Sequence, residues 1–401
     1  MITQLSVSHN EVCAAMVDPA QLKALRGRTV PTVGNRLAYI PDTLPPTINY
    51  SPALTNLLAE ARGALGRLDG IGVLVSNVEL LVTPYIRIEA MMSSRIEGTQ
   101  TTLPELLESE AAEPETAVSD DVREVRNYIR AMERGLQLLD ELPLSNRLVQ
   151  RVHEILLTGV RGQNLTPGEF RTLQVHVGRY TPPPANFVAP LMDEWEAFLA
   201  TPPTDMPVLV QCAVTHYYFE AIHPFFDGNG RIGRLLITLM LCERGVLAQP
   251  LLYLSAYLEA NRREYFDGLY AISEEGDWHG SLEFFFRGIL MQARRTVDCC
   301  REIVSLREQL RQRIAQHTQS ANALTLLDLL FENPFITATR ASRLLGVTSQ
   351  TGRNLLGRFE SLGIVEERGE TSSGARQYCA VRLLDIIQRA AEAPGSTEPA
   401  T

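Results

Sequence analysis

The stretch His223-Pro-Phe-Phe-Asp-Gly-Asn-Gly-Arg-Ile-Gly-Arg234, followed by the apolar run Leu235-Leu-Ile-Thr-Leu-Met-Leu241, decides how this chain is read. The apolar run reads as a buried helix that begins within the motif. A helix start offers unpaired backbone N–H groups and a partial positive charge, and both attract anions. Gly228 and Gly230 lack a Cβ, so a phosphate can approach the turn closely and the backbone can form a nest around it. Arg231 and Arg234 share a helix face, and guanidinium groups suit phosphate oxygens. Asp227 is a hard oxygen ligand of the kind that holds Mg²⁺ between phosphates. His223 can take a proton near neutral pH. A Gly-Asn-Gly turn or a His before Pro is ordinary loop chemistry when alone. Gathered in this order, the set has the parts of a nucleotide-transfer site, where positioning and electrostatics dominate.

The motif resembles the signature of the Fic family, His-x-Phe-x-(Asp/Glu)-Gly-Asn-Gly-Arg-x-x-Arg, and every fixed position matches. The family's members are helical enzymes that mostly transfer AMP from ATP to a hydroxyl of a target protein. The resemblance implies that His223 is the general base, that Asp227 holds Mg²⁺ on the α and β phosphates, and that Gly228-Asn229-Gly230 forms the anion hole with Asn229 on the α-phosphate. It assigns Arg231 to the leaving-group phosphates and Arg234 to the γ-phosphate. Some relatives use phosphocholine or, with altered motifs, phosphate; the intact Arg231 and Arg234 favour a triphosphate donor.

A second segment, Ser93-Ser-Arg-Ile-Glu97-Gly98, ends an expected helix. Gly98 reads as a helix stop and Glu97 as a solvated side chain. The segment also matches the family's inhibitory motif, (Ser/Thr)-x-x-x-Glu-(Gly/Asn), which implies that Glu97 pairs with Arg234, keeps it from the γ-phosphate and repels the triphosphate. Downstream, Leu252 to Tyr265 is similar to the family's region after the motif, where residues line the adenine pocket. Tyr257, Asn261 and Tyr265 are the candidates there, and each is equally readable as a core tyrosine or capping residue. His216 reads as a packed core histidine, while His9, His153, His279 and His317 show no partner pattern.

Composition bounds the rest. The 401 residues suggest two or three domains. With 45% hydrophobic and 21% charged residues the chain is globular, and its net charge of −10 argues against general attraction to nucleic acid or membrane surfaces. Lys23 is the one lysine, so arginine abundance alone carries no argument. The six cysteines lack zinc spacing and read as free thiols in a reducing compartment. With no spanning apolar stretch and no signal layout, a soluble cytoplasmic protein is expected.

The expected fold is mainly α. Residues 1–117 comprise an arm, extended up to about residue 47, and a helical region with the inhibitory motif. Residues 118–318 form the catalytic core, with Val122, Val125, Tyr128, Ile129 and Met132 as one helical stripe. Within it, the alternation and prolines of 172–188 predict a short β-hairpin, where the family's flap would align a target segment. Residues 319–392 read as a winged helix-turn-helix, with Thr337 and Thr348 as caps, strands at 364–368 and 375–381, and 393–401 as a tail. Gln350, Thr351, Arg353 and Asn354 would face outward, with Arg376 on the wing. Residues 321–391 hold eight arginines against seven acidic residues, 8 − 7 = +1, so DNA and protein partners both stay open for this unit. The expected partners are ATP, an unidentified target protein that could be the chain itself, and a second copy in a homodimer, with no membrane.

Overall fold

A computed structural model describes residues 24–74, 78–112, 118–371 and 374–391. The N-terminal 23 residues and the expected tail 393–401 lie outside them. A two-stranded antiparallel sheet comes first: β1 (Arg28–Thr32) pairs with β2 (Arg36–Ile40), Val30 opposite Ala38. This corrects the expected extended arm. The tight Val33–Asn35 turn, with Gly34 at φ 74° and Asn35 at φ 58°, reverses the chain.

Among the described residues eleven helices follow up to residue 317. They are α1 (Pro52–Leu74), α2 (Glu79–Ile96), α3 (Leu103–Ala111), α4 (Asp120–Leu139), α5 (Asn146–Leu156), α6 (Ala185–Ala200), α7 (Val208–Ile222), α8 (Asn229–Glu243), α9 (Ser255–Ala260), α10 (Arg262–Glu275) and α11 (Trp278–His317). Their starts follow local chemistry: Ser119 and Ser145 accept the N–H of Val122 and Leu148, and Thr102 and Glu105 form a reciprocal capping box. Helix α8 is enclosed on nearly every side, Ile232, Leu235, Leu236 and Leu239 being buried, and α7 packs beside it with its own apolar circumference. The stripe of α4 covers α8, with Val125, Tyr128 and Met132 at 0–1% exposure and Ile129 at the edge of the core. The second half of the motif therefore starts a closely packed core helix, which fixes the position of its functional groups.

The hairpin expected at 172–188 is absent as a sheet. Its one bridge joins Val177 and Tyr180, and α6 begins at Ala185. Pro182, Pro183 and Pro184 have no N–H to give a ladder, and Pro184 presets the dihedral before a helix start. The segment is held by other bonds: the Tyr39 N–H donates to Thr181 O at 3.0 Å, Thr32 Oγ1 to Gln174 Oε1 at 3.0 Å, and Tyr180 Oη to Ala221 O at 2.9 Å. The two-stranded sheet near the motif thus comes from residues 28–40, and it extends the 172–184 segment sideways.

Helix α11 continues into the C-terminal residues. There α12 (Ala321–Glu332), α13 (Ala338–Leu345) and α14 (Ser349–Ser361) pack with a three-stranded antiparallel sheet ordered β3 (Phe335–Thr337), β5 (Arg376–Cys379), β4 (Glu366–Glu370). Thr337 and Thr348 accept the N–H of Arg340 and Thr351, and Gly346 and Gly363 stop the helices at φ 65°. Strand β3 was not foreseen, being three residues long. The closing helix α15 (Val381–Ala391) lies along α11. This unit is bound to the region of α2 and α3: Asn333 Nδ2 donates to Leu107 O at 2.9 Å, and the Arg87 side chain donates to Glu332 O at 2.7 Å and pairs with Glu110 at 2.6 Å.

Candidate active site

The site forms where α7 ends and α8 begins. Pro224 pushes the preceding residue out of helical geometry, so α7 stops at Ile222 and His223 adopts left-handed dihedrals, φ 51° and ψ 61°. A buried arginine that the sequence did not single out fixes this corner. Arg171, 2% exposed, donates from Nε to His223 O at 2.8 Å, and from its terminal nitrogens to the carbonyls of Ile222, Pro183 and Leu173; its own N–H donates to Pro224 O. No sequence spacing announces Arg171, because its partners lie on two distant segments. With no carboxylate beside it, burial lowers its pKa to about 9. Arg171→Met leaves four buried carbonyls unsatisfied, so unfolding free energy is expected to drop by about 3 kcal/mol or more. A thermal melt checks this; an unshifted Tm would refute the clamp.

Two other groups hold the loop. His153, which the sequence left without a partner, is fully buried and stacks on Phe225 at 3.7 Å. The Gly168 N–H donates to its Nδ1, so the ring proton sits on Nε2 and is donated to Asp227 O, both at 2.9 Å. Asn229 uses its side chain differently from expectation. Its Oδ1 accepts from the Phe225 N–H and its Nδ2 donates to Phe225 O, each at 2.9 Å. Oδ1 and one Nδ2 proton thus close the loop, and the second Nδ2 proton remains a donor beside the backbone N–H groups of the first helical turn. Gly228 caps α8 at φ 80°, a conformation that costs a side-chain-bearing residue free energy.

Glu97, the C-cap of α2, reaches this turn. Its Oε1 is 2.8 Å from Arg234 Nη2, and a Cβ placed on Gly230 would lie 2.2 Å from the same oxygen. A carboxylate therefore occupies the mouth of the helix start, and only glycine at 230 permits it. Ser93 accepts twice from Arg234, at Oγ from Nε (2.9 Å) and at its carbonyl from Nη2 (2.8 Å), and Gly98 at φ 100° ends the helix. The segment is a helix stop, while the Glu97 side chain, 34% exposed, faces the arginine instead of being fully solvated. Loss of solvent raises the Glu97 pKa, but Arg234, with Arg231 and His223 beyond it, outweighs this and holds the carboxyl below its usual range. Burial disfavours the Arg234 cation, and Glu97, Tyr265 and Glu220 more than offset that.

Arg231 is in a different state. It is fully buried, with Glu124 at 3.5 Å and Asp227 at 3.6 Å, yet none of its three guanidinium nitrogens has a hydrogen-bond partner. A buried cation with vacant donors is a receptor for oxygens. Asp227 is one-quarter exposed at its side chain, and its Oδ1 accepts from the Gly228 N–H at 2.7 Å. Among the described residues no group of three or more His, Cys, Asp or Glu side chains could cage a metal. Mg²⁺ bridging phosphates needs only one or two protein carboxylates, so Asp227 beside the unpaired donors of Arg231 fits it.

His223 is partly buried. Desolvation lowers its pKa to about 4, Arg171 adds to the fall, and Glu97 and a hydrogen bond to the Glu220 backbone oppose it. The ring is neutral at pH 7 and able to accept a proton. His153 and His216 are also held neutral by burial, each with pKa lowered to about 4. His216 donates from Nδ1 to Gly233 O and accepts from Tyr265 Oη at Nε2, the packed histidine expected. The unfolded chain binds protons on both rings below about pH 6.5, while the folded chain does so only near pH 4. Stability is therefore fully present above pH 6.5 and falls as pH drops, by about 2 kcal/mol per ring at pH 5. A melt at pH 5 matching that at pH 7.5 would contradict this.

The adenine-pocket candidates follow one another across the α9–α10 junction, the Asn261 N–H donating to Tyr257 O and the Tyr265 N–H to Asn261 O. Tyr265 is 4% exposed, its hydroxyl taken by His216, and Tyr257 is 4% exposed against Phe284 and Gly288. Both rings are largely buried, and Tyr265 lines a cavity together with His216 and Leu258. Asn261 is partly exposed at the α9–α10 junction, its Nδ2 donating to Tyr257 O.

A helix start carrying two arginines, one paired with a carboxylate and one with unpaired donors, beside a neutral imidazole, defines an anion-binding site. Residues 55–137 match the family model for the Fic/DOC family N-terminal region, and residues 143–241 match that for the Fic/DOC family itself. A Fic N-terminal region and a Fic domain are thus present over these residues. It is 28% identical over 209 residues to protein adenylyltransferase Fic of Drosophila grimshawi, covering 51% of this chain and 40% of that protein. It is 28% identical over 192 residues to a probable protein adenylyltransferase of Aquifex aeolicus, covering 47% of this chain and 58% of that one. The chain thus spans about half the length of these curated relatives. A crystal structure of a Fic family protein from Desulfovibrio desulfuricans superposes with a TM-score of 0.52 at 22% identity, over 84% of this chain and 98% of that one, which shows the shared fold.

Proposed function

We propose that the protein is a nucleotidyltransferase that moves AMP from ATP to a Ser, Thr or Tyr hydroxyl of a protein, and that Glu97 restrains it. The observation that carries this reading is the Glu97 carboxylate lying against Gly230 and paired with Arg234 at the start of α8. A carboxylate in that position mimics the anion that the turn is built to hold. His223 takes the hydroxyl proton as the new O–P bond forms at the α-phosphorus. The bond from that phosphorus to the bridging oxygen breaks, and pyrophosphate leaves with the electron pair. Arg231 and Arg234 bind the leaving phosphates, and the first-turn N–H groups of α8 face the α-phosphate. Asp227 would hold Mg²⁺, which when bound neutralises phosphate charge. Labelling with α-labelled but not γ-labelled ATP tests the transfer; label from the γ position would point to phosphate transfer instead.

A protein acceptor, in trans or within a second copy, is supported by the relatives named protein adenylyltransferase. Among the described residues no helix is long and apolar enough to cross a membrane. A DNA-binding regulatory reading rests on α14, where Gln350, Arg353 and Asn354 are exposed on a winged-helix-like unit and bond only to each other, while Thr351 turns back to Thr348. A shift assay on the full chain across salt concentrations checks it; retardation that does not weaken with salt counts against phosphate contacts.

A further inference from the structure

Glu124 on α4 is a carboxylate that none of the assigned roles uses. It is 4% exposed, inside the core, where an ionised group is costly unless paired. Its Oε2 accepts from Thr99 Oγ1 at 2.9 Å and lies 3.5 Å from Arg231 Nη1, while its Oε1 is 3.8 Å from Arg161. Arg231 thus sits between two carboxylates at nearly equal distance, Glu124 on one side and Asp227 at 3.6 Å on the other, and hydrogen-bonds to neither. Without a counter-charge behind it, a fully buried guanidinium would close onto the remaining carboxylate, since charge-assisted N–H···O contacts favour about 2.7–2.9 Å. That carboxylate is Asp227, the one placed to ligate a cation. Thr99, which holds Glu124, is two residues beyond Glu97. The segment 97–99 therefore bears on both arginines, on Arg234 directly and on Arg231 through Glu124.

We propose that Glu124 is the positioning residue of Arg231, balancing Asp227 so that the guanidinium keeps its donors vacant for phosphate and leaves Asp227 open to a divalent cation. The inference rests on the nucleotide-site reading above. Its signature separates it from a packing role. Losing the Glu124 charge makes the site more positive, so nucleotide without metal binds as well or better. Mg²⁺ must then displace Arg231 from Asp227, so more of it is needed.

The test is titration of a fluorescent ADP analogue, with and without Mg²⁺, in Glu97→Gly and in Glu97→Gly with Glu124→Gln. The expected result is a half-saturating Mg²⁺ concentration raised about tenfold, the equivalent of one charge-assisted hydrogen bond, with metal-free binding not weakened. Glu124→Asp, which keeps the charge, should move the Mg²⁺ midpoint back toward the parent. An unchanged midpoint in the glutamine variant overturns the proposal, as does equal weakening with and without metal. If the glutamine variant does not fold, Thr99→Val frees the carboxylate from its tether and should raise the midpoint by a smaller factor; no rise there overturns it equally. If Glu97→Gly itself binds no adenine nucleotide, the transferase reading has failed, and this inference falls with it.

Discussion

His223→Ala is expected to lower AMP transfer by about 10²–10⁴-fold, the usual contribution of a placed general base, with nucleotide affinity unchanged. The ring is neutral at pH 7 because burial and Arg171 lower its pKa to about 4, so the proton acceptor is present in its active form throughout the physiological range. The imidazole is held at a helix end whose carbonyls belong to Arg171, and removing it disturbs no hydrogen bond of that clamp. Loss of transfer with intact binding is therefore the diagnostic pattern. Intact-mass measurement after incubation with Mg-ATP, beside an analogue titration, checks both halves. An AMP-sized adduct formed at the wild-type rate by the alanine variant would remove His223 from the chemistry. Activity should stay level on lowering the pH from 8 to about 5 and decline only as the ring protonates near pH 4.

The second large effect is expected from Glu97→Gly. It should raise AMP transfer by about one to two decades, the worth of one charge-assisted contact expressed as rate or occupancy. Two physical changes act together. A carboxylate is withdrawn from the anion-binding turn, and Arg234 Nη2 loses its 2.8 Å partner. Arg234 does not become free, since Ser93 still accepts from its Nε and Nη2; the guanidinium stays aimed at the turn with one donor vacated for phosphate. Glycine is already at 98, so the helix stop survives the change. Equal labelling rates in wild type and Glu97→Gly would end the restraint reading. In the double variant with His223→Ala, nucleotide should bind tightly and no adduct should form.

The sequence and the fold divide the explanation unevenly. Helix positions were legible because apolar spacing and caps are local: Thr337 and Thr348 cap α13 and α14, as their place in the sequence led one to expect. The 172–188 hairpin is reduced to the single Val177–Tyr180 bridge because the three successive prolines after it cannot ladder. The β1–β2 hairpin was missed because the prolines at 41–46 masked a tight turn before them. The sequence also brought out a base, a carboxylate, two arginines and two glycines in one short run, since a loop-to-helix junction carries its chemistry in consecutive residues.

Four further features waited for the tertiary structure. Arg171 reaches carbonyls 51 and 52 residues away, His153 braces Asp227 from another helix, Glu124 faces Arg231 from α4, and the hydroxyl of Tyr265 is consumed by His216. Consecutive residues determined which groups are present. Packing alone determined which of them are occupied, because a buried donor takes whatever acceptor the fold brings to it, and sequence separation has no bearing on that distance.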